Sequence, residues 1–70
     1  MIYEIWDFET GNATGVYPSL LAALQVVREA LERDGETTLE GLALLEVRSD
    51  GERRLIAQER DLVPLVGVRR

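Results

Sequence analysis

Between Ser19 and Gly35 runs a stretch of fifteen residues, 20–34, with neither glycine nor proline. A long helix has room to form there. At about 100° per residue, Leu20, Ala23, Leu24, Val27, Ala30 and Leu31 fall on one stripe, while Gln25, Arg28, Glu29, Glu32 and Arg33 take the opposite side. Ser19, following Pro18, supplies a hydroxyl for the free N–H groups of the first turn, and Gly35 stops the helix after Asp34. Leu21 falls among the polar residues; a lone exposed Leu needs no explanation, but it is also a candidate contact for a second subunit. One apolar stripe has to be covered by something, and the flanking segments are strand-like.

Residues 2–8, Ile-Tyr-Glu-Ile-Trp-Asp-Phe, are rich in β-branched and aromatic side chains and read as a strand. Ile2, Glu4, Trp6 and Phe8 point to one side and Tyr3, Ile5 and Asp7 to the other, so both faces carry large apolar groups. Thr10-Gly11-Asn12 is a turn signal, and residues 13–17 form the return strand. Gly15 inside that strand implies a bulge or a close approach by another group. After a polar connection at 36–41, residues 42–48 and 53–58 flank Ser49-Asp50-Gly51-Glu52, where Asp-Gly marks a hairpin. Leu, Ala and Glu at 42–46 would also suit a helix. In the tail, Asp61 could cap a short helix with Pro64 in its first turn. The segment 62–68 could equally run extended, since Val63 precedes proline.

The element order is therefore β-β-α-β-β, an α+β fold in a single domain over residues 1–70. Placing the third strand beside the first gives an antiparallel sheet of order 2-1-3-4 with the helix on one face. One helix covers only one face. The other carries either Tyr3, Ile5, Leu45 and Val47 or their alternates, too apolar to leave in water. Face-to-face sheet packing or domain exchange between two copies would cover it. The expected contact residues are Tyr3, Ile5, Trp6, Leu21, Leu45 and Val47, with Leu62 and Leu65 from a tail that could cross a neighbour.

Size points the same way. Seventy residues bury only about 60% of the surface exposed on unfolding, and ordering them costs on the order of 100 kcal/mol. Chains this small often add disulfides, a structural metal or a partner subunit. This one has no Cys and no His, and all eight of its basic residues are Arg. It therefore lacks the residues for a Ser-His-Asp triad, a thiol nucleophile, a Schiff-base lysine, a Gly-Lys-Ser phosphate loop or a Cys/His zinc site. No cofactor or metal is expected.

A net charge of −5 disfavours general nucleic-acid binding, which needs cations to neutralise phosphate. Arg53-Arg54 and Arg69-Arg70 could still make small basic patches. Apolar runs fall far short of the ~20 residues that span a bilayer. The opening residues show no basic region or apolar core of a signal peptide, so a cytoplasmic location is expected.

Ile5-Trp6-Asp7-Phe8-Glu9-Thr10-Gly11 looks like the first motif of the proofreading-type 3′–5′ exonucleases, where Asp-x-Glu-Thr at the end of an apolar strand helps hold two divalent metals. That family needs two further carboxylate motifs, a general-base His or Tyr and a chain over twice this length. Short motifs carry a high false-positive risk, and the alternative is a hairpin with Asp7 and Glu9 exposed near its turn. Asp7 or Glu9 could also meet Asp50 or Glu52 if the hairpin tips touch, and paired carboxylates can bind Mg²⁺ or Ca²⁺. Glu4 and Glu46 each interrupt an apolar strand face, so each should sit at a sheet margin or pair with an arginine such as Arg48 or Arg54. Trp6, Tyr3, Phe8 and Tyr17 share one hairpin. Such a group can stack bases or anchor a protein partner, though most aromatic groups are core.

The strand, the Gly-containing turn, the short strand ending in Tyr17, the Ser-capped helix with Val27-Arg28-Glu29 and the Asp-Gly hairpin together resemble small uncharacterised bacterial ββαββ domains over roughly residues 2–58. The resemblance implies the fold and carries no settled function. A second similarity is to HicB-type antitoxins, which also set a helix against a small sheet; their strand and helix motifs are not matched here. The expectation is a non-enzymatic, dimeric interaction or regulatory module. The alternatives are an acidic antitoxin or inhibitor that binds a basic protein, and a metal-dependent phosphodiesterase using Asp7 and Glu9.

Overall fold

A computed structural model describes residues 1–67; the Arg69-Arg70 pair and the end of the tail lie outside the described residues. The elements are β1 (Ile2–Asp7), β2 (Asn12–Tyr17), α1 (Leu20–Asp34), β3 (Leu42–Val47), β4 (Arg53–Gln58) and the single turn α2 (Val63–Val66). Short 3-10 turns, Glu36–Leu39 and Glu59–Leu62, precede β3 and α2. The four strands form one antiparallel sheet in the order β2-β1-β3-β4. The fold is α+β, with the topology the sequence implies. Among the described residues, no helix is long and apolar enough to cross a membrane.

Local chemistry sets the boundaries. Ser19 Oγ accepts from Ala22 N at 3.1 Å at the start of α1. At its end Gly35, with φ of 80°, donates its N–H to the Leu31 carbonyl at 2.8 Å. The first hairpin closes through Gly11 N to Asp7 O at 2.8 Å, with Gly11 at positive φ. In the second hairpin, Asp50 Oδ1 accepts from Glu52 N at 2.9 Å and Gly51 adopts positive φ. β1 ends at Asp7, one residue earlier than the sequence pattern implies, and leaves Phe8 exposed at the turn.

Two bulges interrupt the sheet. Thr14 is the extra residue in β2, opposite the step from Ile5 to Trp6. Ile56 is the extra residue in β4, opposite the step from Leu44 to Leu45. Gly15 sits beside the first bulge, and a side chain there would run into the ring of Tyr17. Both readings of Gly15, bulge and close approach, therefore hold.

Pairing of Ile5 with Leu44 and of Tyr3 with Glu46 decides the faces. Tyr3, Ile5, Leu44 and Ala57 look toward the helix, whereas Leu45 and Val47 share the other face with Ile2, Glu4 and Trp6. The grouping of Tyr3 and Ile5 with Leu45 and Val47 is thus corrected by the register, because antiparallel partners share a face. The core joins Ile5, Leu44 and Ala57 to Ala23, Val27 and Leu31 of α1, and then to Leu39, Leu62 and Val66. Leu39, in the connection read as polar, is fully buried. The tail turns helical and folds onto its own chain. Pro64 stands in the first turn of α2, where its missing N–H costs nothing. Asp61 makes no side-chain cap; Leu62 occupies that position and is buried instead.

Candidate functional site

The face of the sheet away from α1 presents Ile2 and Trp6 from β1, Val16 from β2, Leu45 and Val47 from β3 and Leu55 from β4. No helix lies over it among the described residues. Val16 is 56% exposed, Leu55 48% and Ile2 41%, which is high for large aliphatic side chains sharing one surface. Ala43 and Val47 are buried although they belong to this face. Their cross-strand partners, Trp6 and Ile2, are large enough to shield them.

A charged group stands in the middle of this apolar surface. Glu4 is only 8% exposed. Its Oε1 accepts from Arg53 Nε at 2.9 Å and from Trp6 Nε1 at 2.9 Å, and its Oε2 lies 3.5 Å from the second Arg53 nitrogen. The hydrogen bonds from Arg53 and Trp6 hold the Glu4 carboxyl below its ordinary pKa, against the opposing effect of burial, and the nearby Arg53 charge adds to the lowering. Glu4 correspondingly raises the pKa of Arg53. The Glu4 partner is Arg53 and not Arg48, because Arg53 lies opposite Val47 on the same face while Arg48 falls in the turn. On the helix side, Arg54 Nε lies 3.8 Å from Glu46 Oε1, as the strand pattern implies.

The eight residues expected to make contacts are distributed over three places. Trp6, Leu45 and Val47 lie on the open face. Tyr3 and Ile5 turn toward the helix, where Ile5 is buried at 2% exposure, and Leu62 is enclosed in the core. Leu21, 78% exposed, stands on the outer side of α1, and Leu65 is exposed on α2. Ile2, Val16, Leu55 and Arg53 complete the open face and are not among those eight. The signal for Ile2 was present in its spacing from Trp6; Leu55 and Val16 needed the two bulges. The aromatic residues do not form one cluster. Tyr3 and Tyr17 face each other on the helix side, Trp6 lies on the open face, and Phe8 is at the turn.

The carboxylates of the exonuclease-like motif serve the turn. Asp7 Oδ1 accepts from Glu9 N at 2.9 Å, and the Glu9 side chain lies against Gly41. The Asp50 hairpin is at the opposite end of the sheet, about 17 Å away along five strand residues. Asp7 and Glu9 therefore do not meet Asp50 or Glu52. Among the described residues, no three acidic groups converge in a way that could hold a metal ion.

A second feature is a hollow of about 340 Å³ lined by Glu36, Glu40, Glu59, Asp61 and Arg60 among others. Glu59 takes a positive φ of 50° there, and its Oε2 accepts from Gly41 N at 3.3 Å. Four carboxylates beside one arginine make this end of the molecule attractive to cations.

Comparison with known proteins finds no matching family model, no matching curated protein and no matching solved structure.

Proposed function

We propose that this chain is a non-enzymatic interaction module that works as a homodimer, with two copies packing the open faces of their sheets together. The observation that carries the reading is the open face itself. It places exposed Ile2, Val16 and Leu55, with half-buried Trp6 and Leu45, around a Glu4–Arg53 pair. A second copy fits such a surface because a two-fold axis brings each patch against itself, apolar on apolar, with one acid and one base on each side. Four six-residue strands offer a footprint of roughly 20 by 19 Å. That is about 760 Å² over the two copies, below the ~1,200 Å² of standard stable interfaces, so a weak dimer is expected, with dissociation on the order of micromolar rather than nanomolar.

Sedimentation equilibrium across a concentration series tests the proposal. The wild-type chain should pass from monomer to dimer, and Leu55→Arg, which sets a charge on each side of the two-fold, should stay monomeric while remaining folded by circular dichroism. A wild-type monomer up to about a hundred times the micromolar value expected above would contradict it.

A second reading has its own support in the acidic hollow, which suits a basic protein partner such as a toxin or nuclease. There, loss of Glu40 and Asp61 would weaken capture of the basic partner, and loss of Leu55 would not.

A further inference from the structure

On the helix side of the sheet, the edge strand β2 adds little bulk around Thr14. The bulged Thr14 turns its hydroxyl onto the Ile5 carbonyl at 3.1 Å, and the Tyr17 ring lies over Gly15, toward the other end of the strand. Helix α1 faces this stretch with Val26 and the small Ala30. The result is a cleft of about 280 Å³ between helix and sheet, with Ile5, Val26, Val27, Ala30 and Leu42 as its apolar walls. Its polar lining is Asp7, Thr14, Thr38 and Arg33.

The cleft holds one acid and one base, but they are placed differently. Arg33 is 73% exposed at the rim, with its Nε 3.0 Å from Asp34 Oδ2, whereas Asp7 is half-buried in the wall. Asp7 gives one oxygen to the Glu9 N–H, and its other oxygen accepts no hydrogen bond among the described residues. Thr14 is committed to the backbone, whereas the Thr38 hydroxyl makes no bond among the described residues and is available. An anion entering here would approach Asp7, with Glu9 two residues on, in a chain of net charge −5.

We infer that this cleft binds a compact hydrophobic amine, with the ammonium on Asp7 and Thr38 and a short aliphatic chain or single ring along Val26, Val27 and Ala30. The volume is close to the ~300 Å³ lower bound of small-molecule sites, which excludes nucleotide-sized ligands. The inference is independent of the dimer, since the cleft and the open face lie on opposite sides of the sheet.

The test is a titration of the full ¹⁵N-labelled chain with n-hexylamine, 1-hexanol and hexanoate, followed by amide shifts. Hexylamine should move the amides of Asp7, Ala30 and Thr38 in a saturable way at millimolar concentration, with hexanol weaker and hexanoate weaker still. Asp7→Asn keeps an oxygen for the Glu9 N–H, so the turn survives. It should weaken hexylamine by about tenfold, the size of one charge-assisted hydrogen bond, and leave hexanol unchanged. Ala30→Phe fills the cleft and should abolish both. Equal binding of hexylamine and hexanol, an unaltered Asp7→Asn, or no saturable shift would overturn the inference. Repeating the titration on Leu55→Arg separates the two proposals, because the cleft should bind the amine equally well in the monomer.

Discussion

Truncating Leu62 to alanine should be among the most damaging single changes in the chain, although it lies in a tail that sequence pattern leaves open. Leu62 is fully buried and belongs with Leu39, Leu44 and Val27 to the four largest enclosed side chains. A buried Leu→Ala change costs about 2–5 kcal/mol through lost burial and the cavity left behind. A domain of seventy residues has a total stability of roughly 3.5–10 kcal/mol at the usual per-residue range. A loss near 3 kcal/mol therefore removes about a third or more of what holds the fold, and should lower Tm by about 12–24 °C. The control is Leu65→Ala three residues on, where the side chain is 43% exposed and the loss should be about 1 kcal/mol or less. Thermal unfolding followed by circular dichroism and by Trp6 fluorescence suits the comparison, since Trp6 reports from the opposite face of the sheet. Both variants must be compared at one protein concentration, because dimerisation makes Tm concentration-dependent. Equal shifts for Leu62→Ala and Leu65→Ala would refute the packing of this tail on its own core.

The Glu4–Arg53–Trp6 group makes a prediction about pH. Because the folded-state pKa of Glu4 lies below the ordinary glutamate value of 4.5, its stabilisation is present above about that pH and is lost as pH falls through the folded value. Urea unfolding between pH 7 and pH 3 should show a shallower acid-side loss for Glu4→Gln than for the wild type. The difference should be modest, since Arg53 is half exposed. Two glycines with the same backbone sign should respond differently to alanine. Gly11 (φ 74°) has open space, so Gly11→Ala costs only the strain of positive φ, about 1 kcal/mol. At Gly41 (φ 79°) a Cβ would lie 2.9 Å from the Glu9 side chain, so Gly41→Ala should lower Tm further than Gly11→Ala.

Much of this fold is legible in local sequence because each device acts within a few residues. Ser19 and Gly35 bound the helix, Gly11 and Asp50-Gly51 close the hairpins, and strand alternation pairs Glu46 with Arg54. The sheet order follows from where the helix returns the chain. What could not be read depends on contacts distant in sequence. The choice of sheet face rests on Ile5 pairing with Leu44, and both faces of β1 are apolar enough to be core. The bulges at Thr14 and Ile56 shift the alternation of β2 and β4, which hides Val16 and Leu55 as members of the open face. Leu39 sits among polar residues and becomes core only because a 3-10 turn directs it inward. The Leu62 position is settled by the space left beside α1, and no local rule for Asp61 or Pro64 contains that information.

Whether the open face meets its counterpart on a second copy can be read most directly by isotope-filtered NOE spectroscopy on a mixture of labelled and unlabelled chains. Intermolecular contacts are expected from the Trp6 ring and from the methyl groups of Ile2, Val16 and Leu55. Intermolecular contacts confined to Leu21 or Leu65, on the outer side of α1 and on α2, would contradict that packing.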